Sequence, residues 1–191
     1  MKKKILYVAL IVICLSIITG GTLAYFSVAD VARNVITAGT VDFSIVEQQM
    51  MTDGGLVPYP NEPIEIMPGT SVSKIVSVRS ESEPAWVRMT YTVTVFNAAG
   101  EEMDIPREEL EKVIIIEPDG SGWTENGSWW YYEKAIKSGE ETTPLFDSVS
   151  FSGPNMGNEY QNCKVYVDVI VQAVQQAHNG NSVMEAIWPE G

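Results

Sequence analysis

Zinc-dependent hydrolysis needs at least two imidazoles at close spacing with a carboxylate base beside them. This sequence holds a single histidine, His178, inside Gln-Ala-His-Asn-Gly at the end of an alternating apolar run, where it reads as a solvated loop residue. Nucleophilic catalysis needs a base beside a serine or cysteine, and no Gly-x-Ser-x-Gly elbow is present. Of two cysteines, Cys14 sits in an apolar N-terminal stretch, and Cys163 reads as a small buried hydrophobe. Residues 101–119 carry eight acids and two bases. They lack the alternating-acid, glycine-broken spacing of a calcium loop, and residues 119–127 (Asp-Gly-Ser-Gly-Trp-Thr-Glu-Asn-Gly) have only loop composition. No catalytic residue and no metal ligand is assigned; neither calcium nor zinc has a motif behind it. The densest chemical feature is aromatic: Trp123, Trp129, Trp130, Tyr131 and Tyr132. Such a group suits a carbohydrate or protein contact, with Trp129 and Trp130 the candidate surface residues. A strand sends alternate side chains to opposite faces, so about half the group belongs to the core.

The charge balance narrows the partners. The 191 residues contain 12 Lys and Arg against 25 Asp and Glu, a net charge of −13. Without the first 24 residues, 9 basic and 25 acidic groups remain, or −16. So acidic a surface argues against nucleic acid and anionic membranes as partners, and membrane contact is expected only during export. A soluble binding or structural protein fits better than an enzyme.

Lys2, Lys3 and Lys4 precede fourteen residues, 5–18, of which only Ser16 is polar. That length suits a secretory signal and falls short of the roughly 20 apolar residues of a spanning helix, although an uncleaved anchor is the alternative. Thr22 and Ala24 are small residues at −3 and −1, which sets cleavage before Tyr25; cleavage after Tyr25 is the second choice. The expected layout is a signal peptide over residues 1–24, an N-terminal segment over 25–39 and a folded domain over 40–191.

The remainder reads as strands. Residues 85–96 place Ala85, Val87, Met89, Tyr91, Val93 and Val95 on one face and Trp86, Arg88, Thr90, Thr92 and Thr94 on the other. Residues 164–174 repeat this, with Val165, Val167, Val169, Val171 and Ala173 inward and Tyr166, Asp168 and Gln172 outward. Shorter strands are expected over 41–46, 64–66, 72–78, 129–132 and 142–151. Asp104 caps an expected helix over 104–112, with Pro106 in its first turn, and Ser182 caps a terminal turn or two before Pro189. Short strands between Gly/Pro turns with one inserted helix predict an all-β, jelly-roll-like β-sandwich.

Several segments in order resemble the TasA/camelysin family of Gram-positive bacteria. They are Gly-Thr-Leu-Ala-Tyr-Phe-Ser over 21–27, Ala-Arg-Asn-Val-Ile-Thr-Ala-Gly-Thr-Val-Asp over 32–42, Pro-Gly-Thr-Ser-Val-Ser-Lys-Ile-Val-Ser-Val over 68–78 and Glu-Pro-Ala-Trp-Val-Arg over 83–88. The run from Trp130 to Phe146 and the final strand through Gln175 add to them. The resemblance implies a jelly-roll sandwich, export through a SipW-type signal peptidase, and a secreted life in the matrix or on the cell surface. It further implies a fibre subunit whose N-terminal segment pairs as a strand with the next copy or with a related subunit. Phe26, Val28, Val31, Val35 and Ile36 are the docking side chains of that segment; a strand paired within its own subunit, or a disordered terminus, is the alternative. Camelysin is described as a metalloendopeptidase, and no residue here matches a zinc motif that would carry that activity over. A monomeric surface adhesion module built on Trp129 and Trp130 is the other alternative.

Overall fold

The structure is a computed structural model that describes residues 33–34, 41–60, 64–65 and 67–189. The chain divides into two units, 1–30 and 31–191, and all described residues fall in the second. The expected signal segment with Thr22, Ala24 and Tyr25, and the expected docking residues Phe26, Val28, Val31, Val35 and Ile36, lie outside the described residues.

Twelve strands and one short helix follow one another: β1 (Arg33–Asn34), β2 (Phe43–Met50), β3 (Leu56–Pro58), β4 (Ile64–Glu65), β5 (Ser71–Ser73), β6 (Ile75–Ser80), β7 (Ala85–Phe96), α1 (Arg107–Val113), β8 (Ile114–Ile115), β9 (Trp123–Asn126), β10 (Trp129–Tyr132), β11 (Ser148–Phe151) and β12 (Lys164–Gln175). The all-β sandwich expected from the alternation is what forms. One sheet has the order β1-β12-β7-β10-β9, with β4 also on β12. The opposite layer consists of β3-β2-β6 and β5-β11-β8. Its two halves are tied by backbone bonds from residues 139–147 to the edge of β6, including Thr142 N–H to Val78 O at 2.9 Å and Leu145 N–H to Val76 O at 3.1 Å.

The strand pattern explains the core. Val87, Met89 and Val95 of β7 and Val165, Val167, Val169 and Val171 of β12 face Val76 and Val78 of β6 and Val149 and Phe151 of β11. Leu145 and Phe146 are fully buried between the layers, and Phe146 meets Tyr91 edge-on at 5.5 Å. The expected strand over 142–151 is split: only 148–151 is a regular strand, because Pro144 has no N–H to give to a ladder. Helix α1 starts later than the Asp104 signal suggests. Pro106 occupies the cap position without a side-chain cap bond, and early Glu108 and Glu109 favour the helix N-terminus instead. The turn or two of helix expected over 182–188 is one hydrogen-bonded turn, Glu185 N–H to Ser182 O at 3.1 Å, in an otherwise irregular segment. Among the described residues no helix is long and apolar enough to cross a membrane.

Truncating Phe146 to Ala should cost about 3–5 kcal/mol of stability. Thr92→Ala, at an exposed position of β7, should stay within about 0.5 kcal/mol. Chemical denaturation of both variants checks the pair; equal effects would contradict the inward and outward assignment.

Candidate functional site

The outer face of the six-stranded sheet departs from the expected outward, solvated character at one end. Trp86, Arg88 and Gln172, all expected outside, are 5%, 9% and 2% exposed. The reason lies beyond β12. Residues 176–189 fold back as a strap and lay Val183, Ala186 and Trp188 over Trp86, Tyr131 and Val174, forming a second apolar cluster. Gly180 makes the return feasible: its φ is +81°, and a Cβ there would lie 2.9 Å from the backbone of Glu185. His178 is exposed in this bend with φ +61°.

At the centre lies Arg88. Strand pairing sets Tyr131, Arg88 and Gln172 in one row across β10, β7 and β12. The Oε1 atom of Gln172 accepts from both Nε (2.8 Å) and Nη2 (2.6 Å), Tyr131 Oη accepts from Nη1 at 3.2 Å, and the Pro189 carbonyl accepts from Nη2 at 3.2 Å. The guanidinium carbon lies 4.3 Å from the centre of the Trp129 ring and 4.7 Å from that of Trp188. Cation–π contacts of this kind contribute about 0.5–2 kcal/mol each. Trp188 anchors itself by donating its Nε1 proton to Val183 O at 3.2 Å. Sequence reasoning treated Trp129 and Trp130 as surface contacts. Both are half-buried, Trp129 against Arg88 and Trp130 against the main core. Arg88, Gln172 and Trp188 were not singled out as a group. The available signal was a change along the outer face of β7, from Thr90, Thr92 and Thr94 to Trp86 and Arg88, matched by Val174 on β12.

A second feature is the outer edge of β12. Beyond β7, that edge is paired at two short places. β4 runs antiparallel at Lys164 and Val165, and β1 runs parallel at Ile170 and Val171. These two pairings take in four of the twelve residues of β12.

The far end of the sheet holds an open cavity of about 380 Å³ between Val93, Val95 and the loop carrying Met103 and Ile105. Cys163, buried as expected, lies 3.6 Å from the Met103 sulfur. In the opposite layer, buried Lys74 bonds Glu47 at 3.2 Å and covers the Tyr59 ring at 4.1 Å, an ion pair that closes the β2–β6 seam. Among the described residues no three His, Cys, Asp or Glu side chains come together as a metal would require.

The fold is that of a small acidic β-sandwich. Residues 1–58 match the family model described as camelysin metallo-endopeptidase, which supports the likeness to the TasA/camelysin family and an extracellular or cell-surface setting. No curated protein and no solved structure matches the chain. The metal that this family's name implies finds no fitting set of ligands among the described residues, so no reaction step follows from it.

Two outcomes follow from the geometry. Gln172→Leu strips two hydrogen bonds from a buried cation and should cost roughly 2–3 kcal/mol. Gln172→Glu keeps an acceptor and adds a counter-charge, so it should be at least as stable as the parent in urea unfolding. Burial is also the leading cause that raises the Cys163 thiol above its ordinary 9.0 and the Tyr91 and Tyr160 phenols above 10.0. Nearby carboxylates, Glu159, Glu111 and Glu109 respectively, add to the effect. The folded chain therefore holds these protons more tightly than the unfolded one. The stability they contribute is complete below about pH 9 and declines as pH rises through the raised values. Unfolding midpoints measured from pH 7 to 11 should fall above pH 9, and Cys163→Ala should remove the earliest part of that fall.

Proposed function

We propose that this chain is a secreted structural subunit of an extracellular matrix or cell-surface fibre, which joins copies by exchange of its N-terminal strand. A SipW-type peptidase, reading Thr22 and Ala24, would release the segment 25–39. The observation that supports this reading most is the edge of β12, where among the described residues one pairing is antiparallel, at Lys164 and Val165, and one parallel, at Ile170 and Val171. The parallel partner, Arg33–Asn34, comes from that same segment. A strand edge is a row of unpaired N–H and C=O groups, and an incoming segment satisfies them. Supplied by a neighbouring copy, the segment makes a head-to-tail contact, which propagates as an open filament. The net charge of −16 left after cleavage opposes assembly, so lower pH or divalent cations should favour it.

The description of the matched family gives a second reading, a metal-dependent extracellular peptidase. Casein cleavage by the pure protein, lost with chelator and restored by zinc, would establish it.

Negative-stain microscopy of protein beginning at Tyr25, against protein beginning at Thr40, tests the fibre reading at neutral and mildly acidic pH with and without calcium. Filaments from the longer form alone are expected. Single particles from both forms under every condition would overturn strand exchange.

A further inference from the structure

The open cavity of about 380 Å³ at the far end of the sheet joins two kinds of surface. Buried Val95, half-buried Val93 of β7, Met103 and Ile105 of the loop that follows, and Leu110 of α1 line it with apolar groups that belong to the margin of the main core. Glu102 and Asp104 line it as well, and both are exposed. The loop that carries these carboxylates is held in place. Glu102 bridges to Phe96, Met103 N–H donates to Val95 O at 2.8 Å, and Asn97 Oδ1 accepts from Glu101 N–H at 3.0 Å. The two acids are thus fixed on the same short stretch as two of the apolar side chains. The surroundings share their sign: residues 101–112 carry six acids and two bases, and Arg107 is bound to Glu111 at 2.7 Å. A concave site with apolar walls and a few polar groups on one side is the usual form of a small-molecule pocket, and the local charge selects a cation.

We propose that this cavity binds a linear aliphatic polyamine, with its methylenes on Val93, Met103, Ile105 and Leu110 and its ammonium groups at Glu102 and Asp104. Such a molecule is apolar along its length and cationic at intervals, which is the combination the lining offers. A divalent metal ion would leave the apolar walls unused, and among the described residues no three acids come together to hold one. Size points the same way. At the roughly 30 Å³ that one water takes in the liquid, 380 Å³ holds about a dozen heavy atoms, room for a triamine such as spermidine. A single lysine side chain would leave much of that space to water. The site stands apart from the β12 edge and does not depend on strand exchange.

The test follows the ¹H–¹³C methyl resonances of Val93, Met103, Ile105 and Leu110 in protein beginning at Tyr25 as spermidine is added at constant ionic strength. Two controls each carry half of the chemistry: magnesium chloride has the charge without the chain, and an alkanediol of the same length has the chain without the charge. Spermidine should shift the four residues saturably, and neither control should. Glu102→Gln with Asp104→Asn should weaken the response about tenfold, the sum of two exposed ion pairs. Glu108→Gln with Glu117→Gln removes two exposed acids outside the lining and should change it by about twofold or less. The buried methyls of Val167 and Val171 report that each variant keeps its fold. The proposal is overturned if spermidine gives no saturable shift, if magnesium or the diol reproduces its shifts, or if the two double variants weaken it equally. Binding of Nα-acetyl-lysine methylamide as tight as that of spermidine would assign the cavity to a lysine side chain of another protein, and so would overturn the polyamine as its occupant.

Discussion

The twelve-residue pairing of β7 with β12 is the constraint on which the rest of this molecule depends. It runs unbroken from Phe96 opposite Lys164 to Ala85 opposite Gln175, close to 40 Å of ladder at about 3.3 Å per residue. Side chains alternate with period two, so a slip of one residue would turn every inward valine of β12 outward. The register that buries Val165, Val167, Val169 and Val171 is the same register that places Gln172 beside Arg88. The core and the Arg88 cluster are two faces of one pairing, and neither can shift without the other.

The inner faces were legible in the sequence because burial writes a period of two into β-branched residues. Ala85, Val87, Met89 and Val95 are buried as their alternation requires. The outer face was not legible in the same way, because what covers it is not periodic. The strap has no regular hydrogen-bonding pattern, and it acts through three anchors, Val183, Ala186 and Trp188, whose spacing fits neither helix nor strand. Trp86 and Arg88 looked like solvent-facing members of an alternating strand, and only the return of the chain at Gly180 buries them. The aromatic run at 129–132 was read correctly as a strand, yet its partition could not be. Tyr132 joins the main core with Trp123, whereas Trp129 and Tyr131 turn to Arg88 on the other side.

The helix boundary shows a local rule overruled by a neighbour. Asp104 is a good cap by type, but Met103 N–H is already bonded to Val95 O and holds residues 102–104 alongside the end of β7. The helix starts where that attachment ends, past Pro106, whose fixed φ suits the entry.

β12 cannot itself be the strand that leaves in an exchange between copies. Its inward side chains lie in the core, its full length is bonded to β7, and Gln172 is tied to Arg88. The pieces on its outer edge are of another order. Among the described residues β1 and β4 each contribute two paired residues. β4 is held between β3 and β5, which are fixed in the opposite layer. β1 precedes β2 with residues 35–42 between them. In the proposed exchange β12, held along its length to β7, is the receiving strand, and β1, which comes from the segment 25–39, marks the place that another copy's segment would take.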